Sequence, residues 1–230
     1  MLASALVSLT THLLDQKRFA DAEQPARECL AARERKNPNG SDVFHSRALL
    51  GASLLGQKKY EEAEPWLLSG YEGLKQREGK VPGQDERVGQ ALHWIVGLLN
   101  STGQTVAATQ WQKRLNEWHR GQRDLYRRQA ERGGAGDLND LARLLATCND
   151  PAIRDGRAAL TFAERAVAAT NRRDPAYLDT LAAAYAEAGQ FDKAIAAQKE
   201  ALALEPEGKM RQDCAAKLAL YESNRPYRGE

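Results

Sequence analysis

The 230-residue chain carries 33 Lys and Arg against 31 Asp and Glu, a formal net charge of +2, which supplies no global field to draw it onto nucleic acid or anionic lipid. Aromatic residues make up only 7% and the hydrophobic fraction of 42% leans on Ala and Leu, a composition that suits many thin helix–helix contacts and predicts an all-α chain. Cys29, Cys148 and Cys214 are far apart and show neither CxxC nor Cys/His ligand spacing, so they are expected as packing residues of a reduced, cytoplasmic protein. No run approaches eighteen apolar residues, which excludes a membrane-spanning helix from the prediction.

At the amino end, Leu2, Leu6, Leu9 and Leu13 recur at helical spacing, with no basic leader and no convincing cleavage site. A helix that starts at the initiator Met with no capping residue ahead of it is expected of a fragment or tail of a longer protein. A turn follows at Gln16-Lys17-Arg18-Phe19-Ala20-Asp21-Ala22, then a loop of breakers at Lys36–Ser41. The same turn grammar, a hydrophobe that plugs between two helices and a small residue where they cross, returns at Gly56–Ala63 around Tyr60 and weakly at Gly103–Ala108. Phe19 to Tyr60 is 41 residues and Tyr60 to Thr105 is 45, the extra length falling in the second helix and in breaker-rich loops such as Gly79–Gln84. Residues 1–118 therefore read as three long helix-turn-helix units.

Residues 119–136, HRGQRDLYRRQAERGGAG, are expected to form a basic hinge or linker helix that breaks at Gly133–Gly136. Residues 137–207 hold two more units. The first pairs Leu138–Leu145 with Arg157–Val167 across an unusually long loop, Thr147–Gly156. The second, Tyr177–Pro206, is the most regular: Leu178, Leu181-Ala182 and Tyr185, then Gly189 and Phe191, then Ala194, Gln198, Ala201 and Pro206. Residues 208–222 form a polar-backed helix suited to capping an array, and 223–230 a tail.

That last unit resembles the tetratricopeptide repeat, whose pattern runs W-x2-L-G-x2-Y…A-x3-F…P. Units of about 40 residues with such loops resemble the kinesin-light-chain-like variety. LARLLATCNDPAIRDGRAALTFAERAV, together with the closing LALYESNRPYRG, is similar to a module appended to bacterial multidomain proteins such as signalling kinases and membrane glycosyltransferases. The resemblance implies a right-handed solenoid of about five repeats with a capping helix. It also implies a concave face, lined by the first helix of each pair, that holds a peptide or protein segment. Carried over position by position, it would place His45, Gln90, His93, Trp94, Asn100, Asn139, Asp140, Arg143 and Asp179 on that face. The carboxylate clamp of chaperone-binding relatives has no counterpart here, because Val7 with Thr11, Leu49, and His45 or Gln90 with His93 occupy its places.

HExxH, Walker, GxSxG and GxGxxG motifs are missing, and His12, His45, His93 and His119 have no ligand partner at i+3 or i+4. No catalytic, metal or cofactor residues are therefore expected, and the chain reads as a non-catalytic interaction scaffold. Two alternatives differ in class. One is an accessory or regulatory C-terminal region of a larger bacterial enzyme such as a Ser/Thr kinase. The other is a nucleic-acid binder using a basic patch at Arg120, Arg123, Arg127 and Arg128, which Glu117, Asp124 and Glu131 interrupt and the near-neutral whole-chain charge disfavours.

Overall fold

The computed structural model describes residues 2–78, 84–204 and 207–229; the expected loop at 79–83 and Pro206 lie outside the described residues. Eleven helices and no strand occur among them: α1 Leu2–Asp15, α2 Phe19–Lys36, α3 Ser41–Gly56, α4 Tyr60–Lys75, α5 Gln84–Ser101, α6 Thr105–Ala130, α7 Ala135–Thr147, α8 Gly156–Ala169, α9 Pro175–Glu187, α10 Phe191–Leu204 and α11 Lys209–Glu222. The chain divides into two compact units, Met1–Leu115 and Asn116–Glu230. Residues 119–136, expected as a basic hinge or linker helix, comprise the second half of the 26-residue α6, a turn, and the start of α7.

In unit 1 each helix packs on the next from α1 to α5, and α3 also touches α1 and α5, so that the first helices of successive pairs stack. The repeat grammar is visible in the packing. Phe19 and Tyr60 open α2 and α4, and Ala22 and Ala63, three residues on, are fully buried at the helix crossings. The Phe19 ring lies over Gly56 so closely that a Cβ there would fall 2.1 Å from it. Helices α3 and α4 approach closely, because Gly70 and Gly73 on α4 receive the Ala48 backbone and the Phe44 ring. A Cβ on Gly73 would come within 2.0 Å of Phe44 Cδ1. Gly73→Ala is accordingly expected to cost about 1–3 kcal/mol of stability through overpacking. Gly121 is an exposed position inside α6 with open space where a Cβ would go, so Gly121→Ala is expected to add about 0.5–1 kcal/mol by helix propensity alone. Urea unfolding of the two variants checks the opposite signs.

Glu23 ties repeat to repeat in unit 1. Its carboxylate accepts hydrogen bonds from Arg27 Nε at 2.9 Å on its own helix, and from Gln57 Nε2 at 2.8 Å and Lys59 Nζ at 2.9 Å in the α3–α4 turn. The Lys59 and Gln57 bonds hold its pKa down from 4.5 to about 2, against the opposing effect of burial. A carboxyl depressed in the folded state stabilises fully above pH 4.5 and loses that contribution as pH falls toward 2. Lys59 is 41% and Arg27 42% exposed, so solvent screening limits the effect to no more than about 1 kcal/mol. In Glu23→Gln, stability at neutral pH should fall by that amount and the acid limb between pH 4.5 and 2 should flatten, as urea midpoints across that range would show.

Unit 2 repeats the plan with α7–α8, α8–α9, α9–α10 and α10–α11 pairs and a direct α7–α9 contact. Its core is Ala-rich and joins Leu138, Leu141, Leu145, Val167, Leu178 and Leu181 to Cys214 and Tyr221 of α11. Asp155 and Asp174 cap α8 and α9 through side-chain bonds to Ala158 N and Ala176 N, both 2.9 Å. The long loop expected between α7 and α8 is packed: Cys148 and Ile153 are buried within it, and Arg154 Nη1 donates to the Cys148 and Asn149 carbonyls at 2.7 and 3.1 Å.

Candidate protein-binding face

In unit 1, the solvent side of α5 carries Gln90 and Asn100, both exposed, with His93 and Trp94 half-buried between them. At about 100° per residue these fall on one side of the helix, giving a polar strip with one aromatic anchor. His45 does not join them. Expected on an exposed inner face, it is 7% exposed, because α3 is buried almost all round from Val43 to Leu54. Burial, with Arg87 and Arg33 nearby, pulls its pKa from 6.5 down to about 3, against a smaller opposing effect of Asp42. The imidazole is neutral, and its Nδ1 has no hydrogen-bond partner among the described residues. On the same unit, Arg27, Arg47, Glu62, Pro65, Trp66 and Ser69 line an open depression of about 420 Å³.

In unit 2, Asp140 and Arg143 lie on α7 with their charged groups 3.9 Å apart and about half exposed. Asn139, expected beside them, is 8% exposed. Asp179 on α9 is committed internally: it pairs with Lys217 and accepts from Gln198 Nε2 at 2.8 Å and from the Cys214 thiol at 3.4 Å. Burial, then the Asp179 charge, pushes the Cys214 thiol up to about 12, which leaves it inert as a nucleophile.

The aromatics of the basic run are packed into structure, while most of its expected patch arginines face solvent. In unit 1 Trp111 packs edge-on against Tyr71, with ring centroids 5.0 Å apart, and carries Arg114 over its face at 4.5 Å. In unit 2 Tyr126 packs on the core and Arg123 pairs with Asp124 at 2.9 Å. Arg120, Arg127 and Arg128 stay exposed, but without free aromatics between them to stack on bases.

Sequence reasoning missed a second constellation, at the carboxyl ends of α7 and α9. The last turn of a helix leaves carbonyls unsatisfied and a partial negative charge. Here cations and N–H groups converge on those ends. Glu187, the last residue of α9, pairs with Arg154 at 3.1 Å and with Arg228 at 2.6 Å. The Thr147 carbonyl, the last of α7, accepts the Gly229 N–H at 2.7 Å, and the Asn149 amide donates to the Gly229 carbonyl. The unusually long Thr147–Gly156 loop was the available signal. Among the described residues no group of His, Cys, Asp and Glu is arranged to hold a metal ion, and no helix is long and apolar enough to cross a membrane.

The sequence model of the tetratricopeptide repeat family matches residues 2–39. No curated protein matches the chain. Among solved structures, it is similar to TTC0263, a thermophilic tetratricopeptide-repeat protein of Thermus thermophilus, at 14% identity and a TM-score of 0.56, with 96% of this chain and 99% of that one covered. Acl4, the assembly chaperone of RpL4, aligns at 15% identity over 90% of this chain and 76% of its own, with a TM-score of 0.46. The helix-pair architecture, the repeat match and the full-length likeness to TTC0263 together make this chain, in fold, a tetratricopeptide-repeat protein.

Proposed function

We propose that this chain is a non-catalytic protein-binding module that holds a peptide or protein segment against the first helices of its repeats. The observation that carries this reading is that unit 2 already holds a non-helical stretch of polypeptide, residues 225–229, through main-chain and side-chain contacts to α7, α9 and α11. A face that satisfies one such segment has the donors and acceptors to satisfy others. On α5, Trp94 supplies a half-buried aromatic anchor flanked by Gln90, His93 and Asn100, the mix of one apolar contact and several adaptable polar groups from which hot spots are built. On α7, Arg143 adds an exposed cation partnered only loosely by Asp140.

The test is selection of a random-peptide display library against the full chain, with affinities of the enriched peptides then measured on Trp94→Ala and Arg143→Ala. The reading expects enrichment of a related set of peptides and a loss of at least about tenfold in affinity in one of the two variants. No enrichment, or enriched peptides indifferent to both substitutions, overturns it.

A further inference from the structure

After α11 the chain reverses. Asn224 adopts a left-handed φ of 53°, a conformation asparagine tolerates better than most residues, and the Asn224 and Arg225 amides close the turn on the Tyr221 and Leu220 carbonyls at 2.9 Å each. Residues 226–229 then run back over unit 2. Tyr227 packs on its apolar cluster, with Lys217 Nζ 4.8 Å from the ring centroid. Arg228 reaches Glu187, and Gly229 bonds Thr147 and Asn149 through its own backbone. At Gly229 a Cβ would sit 3.2 Å from Thr147 Oγ1, so a larger residue there requires Thr147 to give way by a few tenths of an ångström. Tyr227, Arg228 and Gly229 thus meet three different requirements: an aromatic ring over an ammonium, a guanidinium on a carboxylate, and a bare backbone between two polar groups.

We propose that the notch formed by Thr147, Asn149, Glu187 and Lys217 is a peptide acceptor selective for an aromatic–arginine–glycine segment, and that Pro226–Gly229 occupies it in cis as a displaceable strap. The notch is rigid where it must be. Arg154 holds the other edge of the Glu187 carboxylate while bonding the Cys148 and Asn149 carbonyls. Gly156 lets the start of α8 approach the end of α9 so closely that a Cβ would lie 2.8 Å from the backbone there. The strap is the weaker side of the contact: Ser223, Asn224 and Arg225 are exposed, and Arg228 is 33% exposed against 14% for Glu187. A short tether gives the strap an effective concentration on the order of millimolar, so a partner segment of the same chemistry binds only when it outcompetes the strap or the strap is weakened.

This inference rests on the module reading above and narrows it to one ligand chemistry. The experiment uses the full chain, a fluorescein-labelled peptide of the Ser223–Gly229 sequence, and fluorescence anisotropy. Arg228→Glu sets strap and Glu187 in repulsion and should bind the labelled peptide at least about tenfold more tightly than the wild type. Arg228→Ala, the milder change, should do the same to a smaller extent. A peptide with Glu at the position of Arg228, its Arg225 position kept, should bind neither, and adding Glu187→Gln to Arg228→Ala should return the affinity to the wild-type level. Equal affinity of wild type and both Arg228 variants, or indifference to the Arg-to-Glu change in the peptide, overturns the proposal. So does a wild-type dimer that Arg228→Glu converts to monomer, which would put the strap on a second copy. If the display library yields peptides that depend on Trp94 while the labelled peptide never binds, this proposal falls and the module reading stands.

Discussion

Replacing Tyr221 by alanine is expected to remove about 3–5 kcal/mol from the stability of unit 2, the range for truncating a large buried side chain, whereas Tyr221→Phe should leave stability unchanged or raise it. Tyr221 is 0% exposed and belongs to the same apolar cluster as Leu178, Leu181 and Cys214. It is the anchor by which α11 closes the array. Its hydroxyl has no hydrogen-bond partner among the described residues. Burial first, and the Asp179 charge second, raise its pKa far above the usual phenol value, so it stays protonated at any working pH. Leaving a buried hydroxyl unpaired costs about 1–3 kcal/mol, and phenylalanine removes that cost without opening a cavity. Urea unfolding of both variants decides the matter: a Tyr221→Phe variant as damaged as Tyr221→Ala would mean that the hydroxyl is bonded after all. The alanine variant has a second readout. Because residues 223–229 start from α11, loosening that helix should also speed hydrogen exchange at the Gly229 amide, which the Thr147 carbonyl protects in the wild type.

The dependence of unit 2 on its last helix belongs to the logic of a repeat array, and that logic is what the sequence displays most openly. Phe19, Tyr60 and Phe191 open α2, α4 and α10, each a hydrophobe set just after a tight turn, and the Phe19 ring reaches Gly56 of α3 in the following repeat. The α11 span could be read from its polar backing. The inner face was harder. His45 looked accessible by position in its repeat, yet the segment around it, SDVFHSRALLGASLL, is small or apolar apart from Asp42, Arg47 and His45 itself. A helix of that kind is buried all round, so the pattern already argued against exposure.

Asp179 and the notch failed to show for a different reason. Lys217, which neutralises Asp179, lies 38 residues further on, and Arg154 meets Glu187 across 33 residues. Neither separation corresponds to a helical period or to a motif. Pairing at such distances is decided by how successive helix pairs stack, which single-sequence periodicity does not encode. The long α7–α8 loop and the closing NRPYRG were both visible as departures from the repeat, but only the fold brings them together, with the loop supplying Asn149 and Arg154 and the closing stretch supplying Arg228 and Gly229.

Unit 1 should lose a few kcal/mol of stability as pH falls from about 6.5 toward 3, and His45→Leu should abolish most of that loss. In the folded state the His45 pKa lies near 3, lowered by burial and by Arg87 and Arg33; in the unfolded chain it returns to about 6.5. Between those values the unfolded state binds a proton that the folded state refuses. The stabilisation is therefore complete above pH 6.5 and is lost progressively as pH falls toward the folded value. Every tenfold loss of proton affinity on folding corresponds to about 1.4 kcal/mol, which puts the ceiling at about 5 kcal/mol. Leucine suits the site because Nδ1 makes no hydrogen bond that would be forfeited. The windows separate this effect from that of Glu23, which begins only below pH 4.5. Urea midpoints of wild type and His45→Leu, measured from about pH 8 to pH 5, should diverge below about 6.5, and parallel curves across that range would refute the assignment. Divergence would also fix the role of His45 in recognition: a neutral, buried imidazole holding α3 in place positions the unit without touching a ligand, leaving contact in unit 1 to the α5 strip around Trp94.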